Sequence, residues 1–174
     1  MSLLICAALL FVIAQARRVR GRPDWRPWLG LAVLFVLLSL DEMASLHEMA
    51  SGTLRRLFHL EGAFYFAWVL PAGVGLILLG LLYVRFLWRL PSRTRSLFLA
   101  AALLYVGGAL GMELVGGALV TQYGFHDIRY FWAATVEEFC EMMGVVVFIF
   151  ALLDYLRREN IHLVLSPSPD SILL

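Results

Sequence analysis

The chain of 174 residues is 61% hydrophobic and 16% charged, with a mean hydropathy of +0.83 and a net charge of +1. A soluble domain is about 45–50% apolar and about 25% charged, so this composition excludes a disordered chain, a basic nucleic-acid-binding module and an ordinary soluble enzyme. What is left is an integral membrane protein. Every basic residue is Arg, so the placement of the arginines says more than their sum.

Five apolar runs follow in chain order: Ser2–Ala16, Trp28–Leu46, Gly62–Tyr83, Ser96–Val120 and Tyr130–Leu153. A helix needs roughly 20 apolar residues to cross the hydrocarbon core. The last four meet that length, and the first is shorter. A cleaved signal peptide is the rival reading of the first run. It lacks a positive segment before the apolar stretch, and Arg17 and Arg18 follow it instead, so a retained helix is expected. Between the second and third runs, Ser51–Leu60 sets Leu54, Leu57 and Phe58 against Arg55 and Arg56, the pattern of a short interfacial helix or a plain loop. Trp25, Trp28, Tyr65, Trp68, Tyr123, Tyr130 and Trp132 fall near run boundaries, where an aromatic belt would sit.

Arginines orient the runs. Arg17, Arg18, Arg20, Arg22, Arg26, Arg85, Arg89, Arg93, Arg95, Arg157 and Arg158 fall on one side, and Arg55, Arg56 and Arg129 on the other. The positive-inside rule places the larger group in the cytoplasm. The expected fold is therefore an all-α, multi-pass transmembrane bundle of five spans, with its N-terminus outside and its C-terminus inside a bacterial plasma membrane. Residues 1–159 form one domain, and 160–174, with Ser166–Pro167–Ser168–Pro169, read as a flexible cytoplasmic tail. Cys6 and Cys140 lie within runs and read as small apolar fillers.

Ionisable side chains within a span are disfavoured by about 2.5–3.5 kcal/mol each. Seven carboxylates nevertheless fall in or at the ends of these helices: Asp41, Glu42, Glu48, Glu113, Glu137, Glu138 and Glu141, with His47 beside them and no Arg in the same stretches. At 1.5 Å per residue, Asp41 lies about 9 Å below the outer end of its helix, and Glu137 and Glu138 roughly 10 Å below theirs. Glu113 is at a similar depth. Three helices of alternating direction thus place acids in one layer of the outer half. At 100° per residue Asp41, Ser45 and Glu48 share a stripe with Glu42 at its flank, and Glu137, Glu138 and Glu141 share another. His47 lies about 120° from Asp41 and joins them only if the helix unwinds. Around Glu113 stand Gly107, Gly108, Ala109, Gly111, Gly116, Gly117 and Ala118; the Gly107–Gly111 spacing favours close helix approach.

Three answers hold so many acids together. Divalent ions (Fe, Mn, Ca, Mg or Zn) would take their oxygens, with His47 a nitrogen donor, as in carboxylate-bridged bundle sites. The repeated Glu-x-x-His of those sites is missing: Glu138-x-x-Glu141 ends in Glu. Protons would neutralise and link the acids instead, as in a proton- or cation-handling subunit. Last, hydrogen-bonded acids would simply hold helices together in a small assembly protein. His126 with Asp127 stands where it can cap the site, His59 falls in an outer loop, and His162 in the tail reads as irrelevant.

The run Ser39–Leu40–Asp41–Glu42 with His47–Glu48, and the late Glu137–Glu138–Phe139–Cys140–Glu141, resemble an S-L-D-E-x-x-x-x-H-E element and Glu-rich last helix of uncharacterised bacterial multi-pass membrane proteins. That resemblance implies a grouping of these residues and no activity. There is no Gly-x-Ser-x-Gly elbow and no phosphate-binding glycine loop. The sequence thus supports a membrane protein with a divalent cation site in its outer half, with the lipid bilayer and a second copy or membrane subunit as partners. Oxidation of a lipid-soluble substrate or hydrolysis is the chemistry such a metal would bring.

Overall fold

The computed structural model describes residues 1–161. The expectations for the remainder of the tail, His162 included, lie outside the described residues. The elements are α1 (Ser2–Val19), α2 (Trp25–Ala44), α3 (Leu46–Phe58), a 3₁₀ turn (Gly62–Phe64), α4 (Val69–Arg89), α5 (Ser92–Val106), a π-helical segment (Gly107–Met112), α6 (Glu113–Tyr123) and α7 (Ile128–Arg158). No strand occurs among the described residues. Five helices are long and apolar enough to cross a membrane: α1, α2, α4, the continuous rod from Ser92 to Tyr123, and α7.

Local chemistry sets where these helices begin and end. α1 runs past the apolar stretch to Val19, with Arg17 and Arg18 in its last turn, where cations complement the helix dipole. α5 starts behind Pro91, whose fixed φ and missing N–H suit a helix start. At Asp127 the side chain accepts from the backbone N–H of Arg129 at 2.8 Å and caps α7. Two ends differ from the sequence expectation. α2 stops at Ala44 because Ser45 adopts the left-handed region (φ 48°, ψ 41°), so the expected second span loses its last residues. α4 starts at Val69 and not near Gly62, which itself has φ 63° and opens a separate short turn. The segment after the break is a helix rather than a loop, and it begins at Leu46, before the stretch expected to form one.

α7 is the central element, with α1, α5, the π segment and α6 against it; α1 also pairs with α2, and α4 stands at the edge. The core lies toward the arginine-rich end. There Leu10 and Ile13 of α1 share a cluster with Trp28, Phe98, Ala151, Leu152 and Tyr155. Trp28 is fully buried, with its ring centroid 4.7 Å from that of Tyr155 and 5.2 Å from that of Phe86; it is a core residue, not a boundary aromatic. The same end is tied by Arg17, which donates to Asp24 at 2.8 and 2.6 Å, to the Tyr155 hydroxyl, and to Glu159 at 3.4 Å. Asp154 pairs with Arg158 at 2.8 Å and Arg93 at 3.3 Å. Ile161 packs on the core, and the Asn160 carbonyl accepts from Arg20. Leu78, Leu81, Leu82, Leu103, Phe131 and Phe139 form an exposed apolar exterior of the kind a soluble surface avoids. Both cysteines are free.

Candidate functional site

The left-handed Ser45 decides the geometry of the acidic end. It turns the chain between α2 and α3, so that the backbone N–H of His47 donates to Asp41 Oδ1 at 3.0 Å and His47 Nδ1 lies 2.8 Å from Asp41 Oδ2. The imidazole stood off the Asp41 stripe in a continuous helix; the break brings it there. The same break removes the expected Asp41–Ser45–Glu48 stripe, because Glu48 now belongs to a differently directed helix. Glu48 forms no ion pair with Arg55 or Arg56. Arg55 instead stacks over Tyr65 at 4.0 Å, and Arg56 bonds the Gly52 carbonyl at 3.1 Å.

Glu113 opens α6 directly behind the π segment. A π-helical turn is an interruption in the regular ladder, often at functional positions. Here it lies where Gly108 meets α7: a Cβ on Gly108 would come within 2.9 Å of the Glu137 carbonyl and 3.0 Å of Cys140 Cβ. Gly108 thus makes the close approach. Gly107 and Gly111, the pair the spacing pointed to, have open space around them, because the wider turn rotates them away from the contact. Gly116 and Gly117 pack on Tyr130 and on the Gly62–Ala63 carbonyls.

The close approach sets Glu113 beside α7. Its Oε1 accepts from the indole N–H of Trp68 at 2.8 Å, and Glu137 and Glu141 stand on the stretch of α7 that meets Gly108. Trp68 also stands over His47, with ring centroids 4.8 Å apart, and its own backbone N–H is taken by Ser51 Oγ at 3.2 Å. Glu141 lies within Coulombic range of Glu42, Glu113, Glu138 and His47. Tyr105 is in range of Glu141, Glu42 and Asp41, and Tyr130 of Glu113, Glu137 and Glu48. Bonds and ring contacts thus gather Asp41, His47, Glu113 and, across the Gly108 contact, Glu137 and Glu141 into one region, with Glu42, Glu48 and Glu138 on the same helices. Asp41, His47, Glu113, Glu137 and Glu141 are its partly covered members, whereas Glu42, Glu48 and Glu138 are exposed.

Hydrogen bonding within the region runs in pairs. Asp41 holds His47, and Trp68 holds Glu113. Among the described residues no three of His, Cys, Asp and Glu are grouped so as to hold a metal ion. His59 and His126 are exposed and apart from these pairs. Trp68, Tyr105 and Tyr130 were missed as site members. Trp68 and Tyr130 read as boundary aromatics, and only the presence of buried acceptors across the bundle marks an indole or phenol as polar.

A family model described as a domain of unknown function (DUF8692) matches residues 1–156. No curated protein and no solved structure matches the chain.

Proposed function

We propose a role for a chain that belongs to the DUF8692 family: a multi-pass protein of the bacterial plasma membrane that takes up and passes protons through an acidic cluster in the outer half of the bilayer. The N-terminus would face outside and the arginine-rich end the cytoplasm. One observation carries the reading: the close contact of Gly108 with α7 brings the Glu113 segment against the stretch that holds Glu137 and Glu141. Carboxyl groups gathered at such a contact limit their mutual repulsion by taking up protons, and no arginine among the described residues pairs with them. Asp41 with His47 makes a second proton-exchanging pair at the outer rim, and Glu141 lies in charge range of both pairs. Five spans are few for a secondary carrier, so the reading includes a second copy or a membrane partner.

The test is proton flux into liposomes carrying the purified protein, followed with an entrapped pH dye. Wild type is expected to dissipate an imposed gradient, and Glu113→Gln and Asp41→Asn to lose this by about tenfold or more. No flux from wild type at any pH overturns the reading.

A second reading, divalent cation binding by the same carboxylates, is favoured by the convergence of acids from three helices and would need side chains to turn toward a common ion. Elemental analysis separates the two. Stoichiometric metal in wild type that falls in Glu113→Gln and Glu138→Gln replaces the proton reading.

A further inference from the structure

A cleft of about 590 Å³ opens at the arginine-rich end, between the α1–α2 connection, the last turns of α4 and the end of α7. Its polar wall carries Arg17, Arg26, Arg85 and Arg89 together with Asp24 and Glu159. Arg17 answers both acids, with its paired bonds to Asp24 and its 3.4 Å approach to Glu159. Arg26, Arg85 and Arg89 are then left without an acidic partner among the described residues. Arg26 comes from the start of α2 and the other two from successive turns of α4, so guanidinium groups border the cleft on two sides. Leu82, Phe86 and Leu90 supply an apolar wall beside them.

Three fork-shaped donors around a concave space suit one kind of ligand. Guanidinium groups bind phosphate oxygens with paired N–H bonds, and their convergence without counter-charge leaves a net positive hollow. The hollow lies where the apolar helices end, the level of the headgroups for helices that cross a bilayer, with an apolar wall that runs back along α4. Basic clefts of this placement take lipid phosphates. We propose that this cleft binds the phosphate of an anionic phospholipid, with Arg85, Arg89 and Arg26 on the phosphate and the α4 wall along the first acyl segments. This is independent of the acidic cluster and of which end faces the cytoplasm.

The experiment uses the full chain in nanodiscs of phosphatidylcholine with a fluorescent phosphatidylglycerol as probe. Wild type is expected to bind phosphatidylglycerol well above the bulk average, and the double variant Arg85→Gln/Arg89→Gln to lose about tenfold or more of that affinity. A control, Arg22→Gln/Arg157→Gln, removes the same charge from the same end outside the cleft and is expected to retain binding. Both arginine pairs lie on exposed positions, and thermal unfolding checks that each variant folds. Equal preference for the two lipids, or equal loss in the control, overturns the proposal. Displacement of the probe by inorganic phosphate alone also overturns it, by assigning the cleft to a soluble phosphate.

Discussion

Three residues carry the acidic end, and each makes a separate prediction. Asp41 both caps the start of α3 and orients the His47 ring. Asp41→Asn keeps one acceptor and removes the charge; a stability loss of about 1–2 kcal/mol is expected, read as a lowered unfolding midpoint in detergent. Ser45 holds a left-handed conformation that disfavours a side chain by about 1 kcal/mol. Ser45→Gly should therefore raise the midpoint slightly, and Ser45→Val should lower it and release His47 from Asp41. Trp68→Phe keeps the ring over His47 but removes the one N–H that Glu113 accepts. It should alter the pH dependence of flux while leaving the fold intact. The Asp-Glu pair and the His were legible as a group, since acids in apolar runs are rare. The Ser45 turn was not, because serine carries no strong signal for a positive φ, and without that turn the position of His47 stays ambiguous.

At the level of elements, the long helices were legible from apolar length, which bilayer thickness fixes. Their ends were less so: α4 begins seven residues into its apolar run (Val69 against Gly62), because Gly62 and the residues after it turn instead of continuing a helix. The π segment left no periodic trace, and it redirects the contact from Gly107 and Gly111 to Gly108. This separates two kinds of glycine substitution. Gly108→Ala must push α7 back from its backbone carbonyl, for a loss of about 1–3 kcal/mol and a wider Glu113–Glu137 spacing that lowers flux. Gly111→Ala meets open space and should be neutral. Unfolding midpoints and flux of the two variants side by side test this.

Across the whole molecule, one end is closed by ion pairs and the other gathers the acids. The Arg17 clasp joins α1, the connection after it and α7, a convergence of distant segments that orientation by arginine count does not foresee. Its hydrogen bond holds the Asp24 carboxyl below the ordinary range. Such a group adds stability that is fully present above its unfolded value, about 3.9, and lost as the pH falls through the lower folded value. The contribution is about 0.2–1 kcal/mol, given its partial exposure. Asp24→Asn should lower the midpoint near neutrality and flatten its acid dependence in a pH series of melts. At the far end α3 makes few contacts with the rest of the chain. His47 and Ser51 moor it through Asp41 and Trp68, while Leu46, Met49, Leu57 and Phe58 stay uncovered. In a bilayer, a helix so lightly tethered, with greasy residues seeking depth, would ride on the lipid surface like a float. Shorter acyl tails would then draw that surface toward Asp41 and longer ones lift it away, which would make membrane thickness a dial on how wet the acids are.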